Sequence, residues 1–129
     1  MVEQFIPRSP LVAHLGLRLD SIGTDEATLV LPFRPELATM DDVIHGGAIA
    51  SLIDTAGMAA AWADDVEPEA LAGATVSLTV DYVAAARGED LLATATVARR
   101  GRSLAFTDVR VTEPGGRLVA KGSLVYRFG

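Results

Sequence analysis

One apolar stretch, residues 45–62, constrains what this chain can fold into more than any other feature. It reads HGGAIASLIDTAGMAAAW and carries a single acid, Asp54, near its middle. A helix that is apolar on all sides lies inside a sheet, between subunits or in a membrane. Crossing a bilayer takes about twenty mostly apolar residues, and this run is shorter and interrupted by an acid. We therefore predict a helix buried within the protein, beginning near Gly46 and ending near Asp64, where the acidic, proline-containing residues 64–69 stop it.

Composition bounds the class of protein. At 129 residues the chain has the size of one domain, so we predict a single domain over residues 1–129. Half of the residues are apolar and few are aromatic, which predicts a core of Ala, Val, Leu and Ile. The net charge of −6 argues against a nucleic-acid-binding protein with a basic face. The chain has no cysteine, which excludes disulfides and thiolate catalysis, and no secretory signal is visible, so we expect a cytoplasmic protein.

Strand-like patterns lie on both sides of the predicted helix. Short polar turns separate them, so successive strands are expected to be antiparallel. Residues 1–16 are expected to form an N-terminal arm with a short helix, and residues 34–44 a loop. The strands are predicted at residues 17–22 and 26–33 before the helix, and at 74–83, 90–98, 103–112 and 118–128 after it. The predicted fold class is α+β, with one antiparallel sheet wrapped around one long central helix.

Two glycines open the helix and give the first indication of chemistry. Gly46 and Gly47 let a ligand approach backbone amides that have no acceptor inside the helix and that lie at the positive end of its dipole. A carbonyl placed there would be polarised, and an oxyanion forming there would be stabilised. The alternative is that His45, Gly46 and Gly47 only start a tightly packed helix.

Asp54 gives the second indication. An ionised carboxylate in an apolar helix is costly unless it is paired, hydrogen-bonded or open to a wet cleft. A catalytic acid meets that condition, and so does an aspartate that bonds a neighbouring strand and only fixes packing. The nine residues from His45 to Asp54 make two and a half turns and span roughly 13 Å. Because the two ends cannot meet within one chain, joint action on one substrate predicts a symmetric dimer with two equivalent interfacial sites.

A carboxylate opposite an oxyanion hole suits hydrolysis of an activated acyl group, with Asp54 as general base or as nucleophile. Ser51 lies one turn before Asp54, but no histidine stands near it in sequence to complete a triad. The two histidines, His14 and His45, are too far apart to suggest metal ligands, and His14 is interpreted as a packing residue. We expect neither a metal nor a resident cofactor.

An ordered set of motifs resembles a known family. HGG at residues 45–47, Asp54 in an alanine-rich helix, ATVSLTVDY at 74–82 and GRSLAF at 101–106 are similar to hotdog-fold acyl-CoA thioesterases of the phenylacetate-degradation (PaaI) type. The resemblance implies a hotdog fold and thioester hydrolysis at the interface of a dimer with a continuous sheet. It also implies that dimers pair into a homotetramer, and that coenzyme A enters only as part of the substrate.

The resemblance also assigns roles by position. Gly46 supplies the amide that binds the thioester carbonyl, with His45 and Gly47 in the same catalytic set. Asp54 of the partner subunit is the base or nucleophile. Thr75 helps to hold the attacking water, and strand alternation puts it on one polar face with Ser77, Thr79 and Asp81. The nucleotide end of coenzyme A is assigned to the hairpin residues Arg99, Arg100, Arg102 and Ser103, whose alternative interpretation is a solvated hairpin tip.

One departure from the family pattern leaves two other functions as alternatives. Family members commonly carry an asparagine six residues before the histidine and a glycine three before it, where this chain has Thr39 and Asp42. A hotdog protein that binds acyl-CoA without turning it over is therefore an alternative, and a dehydratase or hydratase on the same fold is a third. The acyl group is not specified, because the residues that could border its pocket are equally ordinary core candidates: Leu11, Leu15, Met58 and Trp62.

Overall fold

The computed structural model describes residues 2–64 and 72–129, and in them an antiparallel sheet wraps a long helix. The helices are α1 (Val2–Phe5), α2 (Pro10–Leu15) and α3 (Gly46–Ala61), with short 3-10 turns at Ile6–Arg8 and Pro35–Leu37. The strands are β1 (Arg18–Gly23), β2 (Glu26–Leu31), β3 (Ala38–Met40), β4 (Val43–Ile44), β5 (Gly73–Tyr82), β6 (Leu91–Arg100), β7 (Leu104–Thr112) and β8 (Leu118–Phe128). The predicted fold class is confirmed.

Six strands form the main sheet in the order β1-β2-β6-β7-β8-β5, and every neighbouring pair is antiparallel. Strands β1 and β5 are therefore its edges. The small β3–β4 hairpin lies in residues predicted to be a loop, because two such short strands show no periodicity. Two residues, Asp41 and Asp42, connect these strands, and Asp41 has a φ of 51°. Among the described residues, no helix is long and apolar enough to cross a membrane.

The core consists of aliphatic residues of α3 against the inner face of the sheet. Leu52, Ile53, Ala56 and Ala60 are fully buried. At Gly57 the helix approaches β8 so closely that a Cβ would lie 2.9 Å from a methyl carbon of Leu124. The predicted Ala-, Val-, Leu- and Ile-rich core is therefore observed.

Helix α3 ends three residues earlier than predicted, at Ala61. The reason is a tertiary contact: Arg100 Nη1 donates to the carbonyl of Ala61 at 2.8 Å, and its Nη2 donates to Asp25 Oδ1 at 2.8 Å. The guanidinium thus satisfies carbonyls that the end of a helix leaves unpaired. Most of the predicted stop signal, residues 65–69, lies outside the described residues.

The N-terminal arm contains the predicted short helix. Gly16 ends α2 in the left-handed conformation, with a φ of 78°. Helix α1 and the turn that follows it were not predicted, because they are too short to show a period. Val2, Ile6 and Val12 are buried, so the arm is part of the core cluster.

Strand β5 contains a bulge that corrects one sequence prediction. Thr75 pairs with Tyr126, whereas Ser77 pairs with Val125, so the register shifts between them. Opposite residues of paired strands share a face. Thr75 therefore lies on the inner face of the sheet, and the prediction that it shares a face with Ser77, Thr79 and Asp81 is wrong. The extra residue of a bulge inverts the alternation.

Candidate active site

His45 begins α3 as its N-cap residue. Its backbone is extended, and its Nδ1 accepts a hydrogen bond from the Gly47 amide at 2.8 Å. A neutral imidazole that accepts at Nδ1 carries its proton on Nε2. The backbone amide of His45 donates to the carbonyl of Leu37 at 2.8 Å. His45 is thus held by hydrogen bonds of both its backbone and its side chain, and its ring nitrogen is the acceptor for the Gly47 amide.

The Gly46 amide is the open donor at this helix end. As the first residue of the helix, Gly46 has no intrahelical acceptor for its N–H. No acceptor for it exists among residues 2–64 and 72–129 either. The partial positive charge of the helix N-terminus adds to its attraction for an oxygen atom. Of the two predicted amides, only that of Gly46 can receive a ligand without displacing a protein contact.

A cleft of about 470 Å³ opens beside this amide. Gly46 and Ile49 of α3, Thr39 of β3 and Tyr82 of β5 border it, and residues 83–86, which are one valine and three alanines, form another part of its lining. Thr39, which stands where the family has an asparagine, therefore lies at the same cleft as Gly46. Tyr82 was not among the predicted site residues, because only its three-dimensional position next to Gly46 reveals it.

The segment that lines the cleft after β5 is held by several hydrogen bonds. The Ile44 amide donates to the Ala86 carbonyl at 2.9 Å, and Asp42 pairs with Arg87 at 3.4 Å. Arg117 Nη2 donates to the Ala85 carbonyl at 2.7 Å, and its Nε donates to Glu113, which lowers the pKa of that carboxyl. Asp42, which stands where family members commonly have a glycine, is thus part of the support for this segment.

Asp54 lies on the side of α3 that faces the edge strand. The hydroxyl of Thr75 donates to Asp54 Oδ1 at 2.7 Å, and both side chains are half-buried. The bulge described above turns Thr75 inward and makes this bond possible. The other oxygen, Oδ2, accepts no hydrogen bond from the part of the chain that the structure describes. The carboxylate is therefore oriented by the sheet but keeps one oxygen for a further partner.

One chain does not bring Gly46 and Asp54 together. Eight residues separate them, which is about 12 Å along the helix axis, and Asp54 does not line the Gly46 cleft. Between them, Ser51 Oγ donates back to the Gly47 carbonyl at 2.9 Å, so its hydroxyl proton is already engaged. Within one chain the structure thus keeps the two predicted site groups apart, with the Gly46 amide at the helix start and the Asp54 carboxylate in the middle of the helix.

The predicted nucleotide contacts divide into two groups. Arg99, Arg102 and Ser103 are exposed at the β6–β7 turn. Arg100 instead points inward, because a bulge between Val97 and Arg99 shifts the register. Its guanidinium contacts the end of α3 and Asp25, as described above. His14, interpreted as a packing residue, has an exposed side chain at the end of α2.

An antiparallel sheet wrapped around one long helix, with a glycine-led helix start and an acid in the middle of that helix, defines a hotdog protein. Residues 41–120 match the sequence model of the Thioesterase superfamily. The match covers more than half of the chain, so the protein belongs to the thioesterase superfamily, and its predicted class as a hydrolase is confirmed at that level.

Individual relatives agree with this assignment. A Halobacterium salinarum protein named as an esterase is 32% identical over 117 residues, covering 88% of this chain and 77% of the relative. The medium/long-chain acyl-CoA thioesterase YigI of Escherichia coli is 26% identical over 140 residues, covering 98% of this chain and 90% of the relative.

Solved structures agree in fold. A crystal structure of a thioesterase-superfamily protein superimposes with a TM-score of 0.89 at 31% identity, covering 99% of this chain and 96% of that one. The Escherichia coli PaaI protein of the phenylacetic acid degradation operon has a TM-score of 0.86 at 21% identity, covering 98% of this chain and 88% of that one. At that identity the second comparison shows the common fold alone.

Proposed function

We propose that this protein is an acyl-CoA thioesterase that hydrolyses a thioester to a carboxylic acid and free coenzyme A. The observation that carries the proposal is a pair of half-sites on α3: the Gly46 amide, which has no acceptor within residues 2–64 and 72–129, and the Asp54 carboxylate, which is oriented by Thr75. The names of relatives, which include a medium/long-chain acyl-CoA thioesterase, support coenzyme A as the carrier.

The two half-sites combine if two subunits pair through β5. This strand is an edge of the sheet, and edge strands present unpaired backbone groups that a second chain can use. It also carries large exposed apolar side chains, with Val76 at 53%, Leu78 at 37% and Tyr82 at 55%. A two-fold axis at β5 continues the sheet across both subunits. In this dimer the Gly46 amide of one protomer meets Asp54 of the partner subunit.

The chemistry follows from this arrangement. The thioester carbonyl accepts a hydrogen bond from the Gly46 amide, which stabilises the oxyanion as it forms. As general base, Asp54 of the partner subunit removes a proton from water, whose oxygen attacks the carbonyl carbon. Collapse of the tetrahedral intermediate breaks the C–S bond, and the proton goes to the departing thiolate. As nucleophile, the carboxylate attacks the carbonyl carbon and the C–S bond breaks, which expels the coenzyme A thiolate and leaves a mixed anhydride. Water then hydrolyses the anhydride to the product acid and the free Asp54 carboxylate, and the proton released goes to the thiolate.

A single turnover in H₂¹⁸O tests for the nucleophilic route. When water attacks the anhydride at the Asp54 carbonyl carbon, the nucleophilic route leaves ¹⁸O in the aspartate. General-base catalysis puts the label only in the product acid. Label found by mass spectrometry in the peptide that contains Asp54 would therefore establish the nucleophilic route.

For the nucleotide end of coenzyme A we propose the exposed β6–β7 turn. The guanidinium groups of Arg99 and Arg102 are suited to phosphate oxygens, and Ser103 adds a hydroxyl. Arg100 belonged to the same prediction, but its donors contact Ala61 and Asp25. The cytoplasmic location, the pairing of dimers into a homotetramer and the absence of a cofactor other than the substrate's own coenzyme A remain predictions.

Thiol release from a panel of aromatic, short-chain and long-chain acyl-CoAs tests the function. We expect at least one member to be hydrolysed, and Asp54→Asn to lower kcat by about a hundredfold or more, in the range of general acid–base catalysis. The asparagine Oδ1 can still accept from Thr75, so the fold is expected to remain. Asp108→Asn, an equivalent change at an exposed position of β7, is the matched control and keeps wild-type kcat. No turnover above the blank across the panel would contradict the proposal.

The second candidate is a non-catalytic acyl-CoA-binding protein, and Thr39 is the observation that favours it. A threonine replaces the asparagine of the family at the cleft. Loss of an oxyanion donor lowers kcat by two to three orders of magnitude in other enzymes. Calorimetry that shows saturable binding of an acyl-CoA, with no thiol released, would select this candidate.

A further inference from the structure

We infer that Tyr82 is a positioning residue for the Gly46 amide. This inference rests on the proposed thioesterase function and concerns a residue that the sequence did not single out. Tyr82 is the last residue of β5, and its hydroxyl donates to the Gly46 carbonyl at 2.7 Å.

Two hydrogen bonds hold the peptide between Gly46 and Gly47 at both of its polar groups. Tyr82 binds its carbonyl oxygen, and the Nδ1 of His45 accepts from its N–H at 2.8 Å. Glycine is the residue with the greatest backbone freedom, and two of them stand here in succession. The two contacts therefore define the plane of the peptide that follows the open Gly46 amide. By restricting rotation at the Gly46 Cα they help to hold the preceding peptide, which carries that amide and whose carbonyl accepts from the Ala48 N–H at 3.0 Å.

The aromatic ring adds a steric restraint. A Cβ at Gly46 would lie 3.2 Å from Tyr82 Cζ and 3.3 Å from the hydroxyl oxygen, which is tighter than an ordinary carbon contact. The ring is therefore packed directly against the Gly46 Cα, and it borders the same cleft as Gly46. The Tyr82 ring therefore occupies the space that any side chain at residue 46 would need.

We expect loss of the Tyr82 hydroxyl to lower kcat. A hydrogen-bond donor stabilises an oxyanion most when it is already oriented before the charge develops. Without the tyrosine hydroxyl, the glycine pair samples other orientations, and the donor has to be ordered during each turnover. An interaction that counts mainly in the transition state changes kcat rather than KM.

The chain offers a matched pair of substitutions, since Tyr82 and Tyr126 are its two tyrosines. Tyr82→Phe removes only the hydroxyl and keeps the ring. We expect kcat to fall about tenfold, the equivalent of one neutral hydrogen bond, with KM within about twofold of wild type. Tyr126→Phe is the control: Tyr82, and not Tyr126, donates to the Gly46 carbonyl, and the Tyr126 ring packs against Trp62 and Phe128, so we expect this variant to keep wild-type kcat.

A second readout does not depend on activity. In ¹H–¹⁵N spectra we expect Tyr82→Phe to shift the amide resonances of Gly46 and Gly47, and Tyr126→Phe to leave them in place. Wild-type kcat in Tyr82→Phe, an equal loss in both variants, or unmoved glycine resonances would each overturn the positioning role. If wild type and Tyr126→Phe both fail to hydrolyse any acyl-CoA, the proposed function fails, and the glycine resonances alone then decide whether Tyr82 positions the amide.

Discussion

At the scale of single residues, His45 has a different role from the two glycines that follow it in the HGG motif. The sequence placed His45 with Gly46 and Gly47 in one catalytic set. In the structure its ring caps the helix by accepting from the Gly47 amide. This contact leaves Gly46 as the open donor, so the histidine sets which amide faces the cleft.

The cap predicts a measurable effect on stability. His45→Ala removes the acceptor of the Gly47 amide, so we expect the free energy of unfolding to fall by about 1 kcal/mol, as for other lost N-caps. Asparagine is among the preferred N-cap residues, and His45→Asn should recover most of that loss. Urea unfolding of wild type and both variants provides the measurement. Equal stability of the alanine and asparagine variants would show that the side-chain cap contributes little.

At the scale of elements, one strand positions both half-sites. Strand β5 presents Thr75 to Asp54 and, at its far end, Tyr82 to Gly46. The Thr75 contact needs the bulge between Thr75 and Ser77, because the bulge brings Thr75 to the inner face of the sheet that Tyr82 also occupies. The geometry of this edge strand therefore determines how the carboxylate and the amide are aligned along α3.

Helix α3 packs on the sheet through close contacts at glycines, and Gly57 is one of the tight points. Gly57→Ala would place a methyl group 2.9 Å from Leu124 and 3.1 Å from the Thr107 hydroxyl. Overpacking of this kind costs about 1–3 kcal/mol, so we expect the melting temperature to fall. Gly115→Ala is the control, because nothing lies within 4 Å of a Cβ there. If the Gly57→Ala variant is as stable as Gly115→Ala, helix α3 and the sheet can move apart enough to accommodate the methyl group without loss of stability.

The elements could be predicted from the sequence, whereas the contacts between them could not. Period-two alternation and polar turns predicted the six strands of the sheet, and the apolar run at residues 45–62 predicted the long helix, because all of these are local signals. Arg100 shows the limit: as part of an arginine-rich turn it was assigned to the nucleotide, but a bulge turns it inward to the end of α3. The bond between Tyr82 and Gly46 joins residues 36 positions apart, and no local pattern encodes such a contact.

At the scale of the whole molecule, the active site is expected to belong to two chains. The separation of Gly46 and Asp54 along α3 and the exposed apolar edge at β5 are independent features of one protomer, and both call for a second copy. A dimer also resolves the two interpretations of Asp54. The bond with Thr75 uses one carboxylate oxygen for packing, and the second oxygen is available to the other subunit.

Mixing two inactive variants tests this directly. Asp54→Asn lacks the carboxylate. Gly46→Val places a side chain in the cleft beside the amide, against the Tyr82 ring. Each homodimer has two defective sites, so we expect each parent to keep less than about a hundredth of wild-type kcat.

In random mixed dimers, an intact site requires a native Gly46 from one chain and a native Asp54 from the other. Each condition is met half of the time, so unfolding and refolding a 1:1 mixture should restore about a quarter of wild-type activity. The fraction is the same whether or not dimers pair further into tetramers, because each site still draws on two chains. If each site lay within one chain, no intact site could form, and the refolded mixture would stay as inactive as its parents.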